Sequence, residues 1–166
     1  MHADFERSAE NEQQIEPRLL KRREIEARIA VPLIQAFAEK MGREQALDMA
    51  TEVIQALACA AGREMAKKLG VNDMAALATV VRDVWAQDKA LEMTILEETE
   101  LKLSFNVIRC AYVELYERLG MKEFGYCLSC SRDAAFTEGF NPRLKLQRKQ
   151  TIMEGAPHCE FRFSLE

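Results

Sequence analysis

The stretch RLKLQRKQTIMEGAPHCEFRFSL, residues 143–165, decides the fold class of this chain. Apolar and polar residues alternate in both of its halves, which is the pattern of strands that have one buried face. The halves are separated by EGAP at residues 154–157, where Gly and Pro are typical of a turn. In the second half Cys159, Phe161 and Phe163 share one face, which should be the core side. The stretch therefore predicts an antiparallel β-hairpin.

A second alternating stretch, ALEMTILEETELKLSFNVIRC at residues 90–110, lies upstream, and its acidic EETE predicts the bend of another hairpin. Between the two hairpins, the polar TEGFNP at residues 137–142 predicts a turn. Residues 17–42, 43–69 and 72–85 show helical spacing instead. Helices followed by hairpins indicate an α+β fold, with N-terminal helices packed on an antiparallel sheet of two β-hairpins.

The first two helices are recognised by large apolar residues at every fourth position, a spacing typical of the face that a helix buries. These residues are Ile25, Ile29, Leu33, Phe37 and Met41, followed by Met49, Val53 and Leu57. The alanine-rich QALACAAG at residues 55–62 predicts close contact with another helix. The basic run KRR at residues 21–23 is flanked by acids, and we interpret it as a solvated helix face.

Length and composition limit the class of protein. We interpret the 166 residues as a flexible arm at residues 1–16 and a single domain at residues 17–166. The net charge of −4 argues against nucleic-acid binding, which needs a clustered basic surface. The polar N-terminus is unlike a secretory signal, and no apolar run is long enough for a membrane span. These features predict a cytoplasmic protein whose five cysteines stay reduced.

Cys127 and Cys130 form a CxxC motif, which can hold zinc or exchange disulfides. Zinc needs two more ligands, and Cys110, His158 or Cys159 could supply them. His158 and Cys159 are adjacent in a strand, so only one of them can readily face a given site. A redox motif of the thioredoxin type needs a βαβ setting, which this sequence lacks. We therefore predict no metal and no cofactor, and keep a structural zinc protein as an alternative.

Cys130 lies three residues before Asp133, so a helical turn would place the thiol and the carboxylate on one face. A carboxylate alone does not lower the pKa of a thiol; Arg132, Arg148 or a protonated His158 would have to do so. In the alternative interpretation Asp133 caps the segment that follows it and Cys130 is simply buried. Arg132 and Arg148 are also suited to binding a carboxylate through two hydrogen bonds.

The segment CLSCSRDAAFTEGFNPRLKLQRKQTIMEGAPHCEFRF, residues 127–163, resembles the C-terminal signature of the L-2-amino-thiazoline-4-carboxylic acid hydrolase family. RREIEARIAVPLIQAFAEKMGREQAL, residues 22–47, is similar to the helical start of that family. The resemblance implies hydrolysis of a C–N or C–S bond in a small cyclic amidine or isothiourea that carries a carboxylate. In the name-giving reaction the product is an N-carbamoyl cysteine.

Such a reaction needs a thiolate or a water molecule to attack the ring carbon, an acid for the leaving group and a cation for the carboxylate. We hypothesise that residues of the signature supply these groups. The catalytic candidates are Cys130, Cys159, Asp133 and His158, and the substrate-binding candidates are Arg132, Arg148, Thr151, Phe140 and Asn141. The expected partner is a small substrate with a carboxylate, and the alanine-rich helix would suit a homo-oligomer.

Another class of protein competes with the hydrolase. The ending GAPHCEFRF after a set of helices is also similar to small-molecule-binding domains of the vinyl-reductase type. In that case the cysteines and arginines would recognise a ligand without converting it, as in a sensor. A panel of cyclic amidines separates the two interpretations, because only the hydrolase yields a product.

Overall fold

The computed structural model of the protein describes residues 18–166, so the arm predicted at residues 1–16 lies outside the described part. None of the helices in that part is both long enough and apolar enough to cross a membrane. The elements are α1 (Leu19–Met41), α2 (Arg43–Leu69), α3 (Met74–Val80), β1 (Leu91–Glu98), β2 (Lys102–Cys110), α4 (Ala111–Arg118), α5 (Lys122–Gly125), α6 (Arg132–Phe140), β3 (Leu144–Gln147) and β4 (Cys159–Leu165). Short π-helical segments follow α3 at Val81–Trp85 and precede α6 at Tyr126–Cys130.

The four strands form one antiparallel sheet in the order β1-β2-β4-β3. Each predicted hairpin is present, and the two are joined through β2 and β4, where Phe105 pairs with Phe161 and Val107 with Cys159. The predicted α+β fold is therefore confirmed. The predicted core face is also confirmed, because Cys159, Phe161 and Phe163 are all buried.

The second hairpin differs from the prediction in the length of its first strand. β3 ends at Gln147, and residues 148–158 leave the sheet. The Thr151 hydroxyl accepts a hydrogen bond from the Glu154 backbone N–H at 3.2 Å and donates to the Glu154 carboxylate at 2.8 Å. These bonds stabilise a 3₁₀ turn at Ile152–Glu154, and Gly155 follows with a φ of 97°. A side-chain cap thus replaces the sheet hydrogen bonds that the alternating pattern predicts.

The crossing of α2 and α6 explains the alanine-rich segment. A Cβ atom on Gly62 would lie 2.2 Å from the carbonyl oxygen of Phe136, and one on Gly139 would lie 2.0 Å from that of Cys59. The two helix backbones therefore touch, and the predicted close helix contact is confirmed. The turn predicted at residues 137–142 begins later than predicted, since α6 continues to Phe140 and the Leu144 backbone N–H donates to the carbonyl of Asn141 at 2.9 Å. Gly139 serves the helix crossing instead of a turn.

The apolar stripe of α1 is not its buried face. Ala27, Val31 and Ile34 are the buried residues of this helix, and they pack in a core with Tyr116 and Leu128. The large residues at every fourth position lie on solvent. The periodicity thus predicted the helix correctly but not the direction in which it packs.

Candidate functional site

A cavity of about 520 Å³ lies among the start of α1, the second half of α2, α6 and the inner face of the sheet. Both π-helical segments contribute to its wall, with Trp85 from the first and Cys130 from the second. π-Helical turns within helices occur frequently at functional sites, because they displace side chains from the regular helical position. Aromatic rings form one side of the cavity, where Trp85 meets Phe136 edge-on with ring centroids 5.6 Å apart.

Five of the nine site residues predicted from the sequence line this cavity. They are Cys130, Arg132, Asp133, Arg148 and Cys159. The first three lie at the junction of the second π-helical segment and α6, Arg148 follows β3, and Cys159 begins β4. The fold therefore brings together residues from three separate segments of the chain.

The other four predicted residues lie outside the cavity lining. The ring Nε2 of His158 is 3.2 Å from the Gln150 amide, and Thr151 caps the 3₁₀ turn. Phe140 is part of the hydrophobic core. The Asn141 amide donates to the backbone of Asn72 at 2.9 Å. These contacts give each residue a structural role. The catalytic role of His158 and the substrate-binding roles of the other three stay predictions.

The two cysteines of the CxxC motif have different surroundings. The Cys127 thiol accepts a hydrogen bond from the Thr51 hydroxyl at 3.2 Å and packs on α2, whereas Cys130 lines the cavity. Among residues 18–166 there is no group of three His, Cys, Asp or Glu side chains that could hold a metal ion. The arrangement therefore gives the alternative of a zinc site built on Cys127 and Cys130 no support.

Asp133 and Arg148 form the central ion pair of the cavity. One guanidinium nitrogen of Arg148 donates to Oδ2 of Asp133, and the other donates to the carbonyl of Cys130 at 2.8 Å. The same guanidinium lies over the rings of Phe161 and Tyr126, with distances to the centroids of 5.2 and 5.9 Å. Within the described part of the chain, no donor reaches Oδ1 of Asp133. Among these residues one carboxylate oxygen is thus held by Arg148 while the other accepts no hydrogen bond.

Burial and charge act in opposite directions on this pair. Burial raises the pKa of Asp133, and the Arg148 guanidinium opposes the shift. Burial would lower the pKa of Arg148, but the Asp133 carboxylate, Cys130 and Tyr126 together outweigh it and raise that pKa. Arg148 therefore stays charged, and the carboxyl group of Asp133 binds a proton more readily than an exposed aspartate does.

Three thiols line the cavity, and burial raises the pKa of each. The pKa of Cys110 rises to about 11, that of Cys130 rises well above its usual value, and that of Cys159 also rises. Near Cys130 the Asp133 carboxylate adds to the shift, whereas Arg148 reduces it. All three thiols are therefore protonated at neutral pH in the free protein. Since the thiolate is the nucleophile, this environment does not activate a cysteine.

A second cationic group lies at the side of the cavity formed by α1. The guanidinium groups of Arg23 and Arg132 share a single carboxylate oxygen of Glu26, at 2.7 and 2.9 Å. Both arginine side chains are largely buried and line the cavity. Two positive charges thus meet one negative charge, which leaves an excess positive charge for an anionic ligand.

Sequence reasoning missed several lining residues. Arg22 and Arg23 belong to the KRR run that we interpreted as a solvated face, but both line the cavity. Trp85 and Tyr112 were missed as well, and the Tyr112 hydroxyl donates to the carbonyl of Trp85 at 2.9 Å. A basic run on a helix is equally well explained as a solvated face, so the run by itself did not predict a cavity position. Only the contact of Arg132 with Glu26, 106 positions apart, shows which face of α1 meets the cavity.

Comparisons with known proteins agree with these observations. The family model of L-2-amino-thiazoline-4-carboxylic acid hydrolase matches residues 22–163, nearly the whole of the described part. No curated protein matches the chain. Among solved structures, a trafficking protein particle complex subunit 3 from Naegleria fowleri, covalently bound to palmitic acid, is similar with a TM-score of 0.53. The identity is 12%, and the match covers 88% of this chain and 96% of that one, so this likeness concerns the fold.

Proposed function

We propose that the cavity of this chain hydrolyses a small cyclic amidine or isothiourea that carries a carboxylate. The premise is that the chain belongs to the L-2-amino-thiazoline-4-carboxylic acid hydrolase family. The observation that supports the proposal most directly is the ion pair of Asp133 and Arg148. It presents an open carboxylate oxygen in a cavity that also contains the excess positive charge of Arg23 and Arg132.

Arg23 and Arg132 are placed to bind the carboxylate of the substrate. Their side chains are already ordered by Glu26, and Arg132 also donates to the carbonyl of Leu128 at 2.7 Å. An ordered guanidinium loses little conformational freedom when it binds an anion. Arg148 is less suited to this role, because its terminal nitrogens are occupied by Asp133 and the Cys130 carbonyl. In the proposal it positions the Asp133 carboxylate.

Asp133 is the general base of the proposed reaction. A water oxygen forms a bond to the ring carbon between the heteroatoms, and its proton passes to Oδ1 of Asp133. In the name-giving ring the C–S bond then breaks, its electron pair remains on sulfur, and Asp133 returns the proton to that sulfur. The remaining hydroxyl proton moves to the ring nitrogen as the C=O bond forms. The product is an N-carbamoyl amino acid with a free thiol. Attack by Cys130 or Cys159 is less favoured, because burial keeps both thiols protonated.

The test is turnover of a panel of substrates. The purified chain is incubated with 2-amino-thiazoline-4-carboxylate and related cyclic amidines, and products are followed by mass spectrometry. A product heavier by one water is expected. Arg132→Gln should raise KM far more than it lowers kcat, since it weakens ground-state binding of the carboxylate. Arg143→Gln is the matched control, because this exposed arginine lies outside the cavity.

A second candidate is a ligand-binding module without catalysis. It is favoured by the aromatic wall of Trp85, Phe136 and Phe161, and by thiols that are not activated. The similar solved structure is covalently bound to palmitic acid, which has a long apolar chain. Trp85 is the single tryptophan, so its fluorescence reports occupancy of the cavity directly. Saturable quenching by members of the panel, with no product from any of them, would favour this candidate over the hydrolase.

The cellular compartment is also a proposal. All five cysteines of the chain are free thiols in the structure. The cytoplasm keeps thiols reduced, so we propose that the protein acts there. Fractionation of cells that produce the full chain tests this placement.

A further inference from the structure

Apart from Leu69 at the end of α2, eight large apolar side chains on α1 and α2 lie on solvent. Their exposed fractions range from 36% to 62%. They are Ile25, Ile29, Leu33, Phe37 and Met41 on α1, with Met49, Val53 and Leu57 on α2. We call this set the α1–α2 stripe. The largest apolar patch of a typical monomer covers roughly 300–600 Å² and often marks an interaction site, and eight half-exposed side chains of this size are enough to form such a patch.

The spacing of the stripe is that of a buried helix face. The residues recur at every fourth position on both helices, and only Gly42 lies between the end of α1 and the start of α2. The two helices therefore form a hairpin whose buried residues, among them Val31 and Ile54, share one core, and both rows are left outside it. Within the described residues the fold covers other faces of these helices, with Ala27 and Val31 on α1 and Ile54 on α2. A helix face whose spacing predicts burial is thus left uncovered by the rest of residues 18–166.

We propose that a second copy of this chain covers the α1–α2 stripe and forms a two-fold dimer of helical hairpins. In such a dimer the same patch meets itself, so it must be free of like-charge repulsion. All eight members are uncharged. A standard interface buries about 800 Å² per partner, and the exposed area of the stripe is of that order. The geometry of a hairpin against a hairpin is that of four-helix packing.

Other parts of the chain do not offer an equivalent cover. Residues 1–17 contain Met1, Phe5 and Ile15 as their large apolar residues, which is too few for eight positions. The net charge of −4 also disfavours an anionic membrane surface. None of the eight side chains lines the cavity, so a dimer through the stripe leaves the cavity accessible. The inference is thus independent of the proposed activity.

The test is the mass of the full chain in solution, measured by light scattering and sedimentation over the micromolar range. The wild type should have twice the mass of one chain. Leu33→Glu places a charge at the centre of the stripe and should yield a monomer. Gln35→Glu is the control: it adds the same charge to an exposed position of α1 outside the stripe and should remain a dimer. Circular dichroism checks that the helices are retained, and Val53→Glu on α2 replaces Leu33→Glu should that variant not fold.

A wild-type monomer throughout the range, including one that binds lipid vesicles, would overturn the proposal. So would a folded Leu33→Glu variant that keeps the wild-type mass.

Discussion

Arg148 donates one hydrogen bond to the side chain of Asp133 and another to the backbone of Cys130, and so joins the segment after β3 to the start of α6. This contact explains why β3 ends earlier than the alternating pattern predicts. Arg148 would continue β3 according to the alternating pattern, but it lies outside the strand and reaches the cavity. The carboxylate that the contact positions is the proposed base.

Replacing Asp133 by Asn should abolish most of the activity. An amide cannot accept the proton of the attacking water, so we expect kcat/KM to fall about 100- to 10,000-fold. The variant also leaves Arg148 without its carboxylate, which should lower the free energy of unfolding by about 1–3 kcal/mol. Steady-state kinetics and urea unfolding measure the two effects. Glu138→Gln removes a carboxylate from an exposed position of α6 and should change neither.

The pH dependence of the activity should reflect the burial of Asp133. Burial raises the pKa of this carboxyl group, and the base must be ionised to act. As the pH falls through the raised pKa, kcat/KM should therefore fall with it. The acidic limb should lie above the value of about 3.9 for an exposed aspartate. A profile of kcat/KM against pH that stays level down to that value would contradict the assignment of Asp133 as base.

The cavity cysteines should be dispensable for chemistry. Burial keeps the thiols of Cys130 and Cys159 protonated, so the water route does not depend on them. We expect Cys130→Ala and Cys159→Ala each to retain turnover within about tenfold of the wild type, well short of the 100- to 10,000-fold effect of losing a proton-transfer group. Cys59→Ala, outside the cavity lining, is the control. Loss of activity in Cys130→Ala or Cys159→Ala as large as that in Asp133→Asn would restore the thiol nucleophile.

The stability of the protein should decrease at alkaline pH. The pKa of Cys110 rises from 9.0 to about 11 in the folded protein, because burial disfavours the thiolate. Folding therefore favours the thiol, and this contribution is complete below pH 9 and lost as the pH rises through the folded pKa. One pKa unit corresponds to about 1.4 kcal/mol, so a shift from 9.0 to about 11 makes the loss from this residue about 3 kcal/mol. Urea unfolding at a series of pH values measures the slope, and Cys110→Ala should make it shallower.

The crossing of α2 and α6 should tolerate no side chain at Gly139. A Cβ atom there would lie 2.0 Å from the carbonyl oxygen of Cys59, which belongs to a helix backbone and cannot turn away. We expect Gly139→Ala to lower the free energy of unfolding by about 3 kcal/mol or more, at the upper end of the effects of overpacking. Gly125→Ala is the comparison, since its Cβ atom would meet the flexible side chain of Met153. Equal melting temperatures for the two variants would contradict the close approach of the helices.

Much of the sheet could be predicted because strand alternation is a local property. Cys159, Phe161 and Phe163 are buried as their spacing predicts, and Phe105 stacks on Phe161 with centroids 4.9 Å apart. The end of β3, the first strand of the second hairpin, could not be predicted from alternation. It is decided by the Thr151 cap and by the reach of Arg148 to Asp133, and neither contact leaves a trace in the pattern.

The candidate site was predictable in its C-terminal half only. Cys130, Arg132 and Asp133 are neighbours in the chain, so their grouping follows from one helical turn. Arg23 comes from the opposite end of the chain and shares Glu26 with Arg132 only because α1 packs beside the second π-helical segment. No spacing relates such residues. A long-range contact of this kind depends on the packing of whole elements.

The sequence by itself determined the first three helices, the two hairpins and the α+β class, because these rest on periodicity and on residues close together in the chain. It determined the family through the resemblance of its C-terminal signature. Only the tertiary structure decided which face each helix buries and which side chains share the cavity. Ile29 and Leu33 mark a helix face that should be buried, yet the single chain leaves them on solvent. The reason is that hydrophobic burial is non-directional: a pattern shows that a face needs a partner, and the packing of all elements decides which partner it receives.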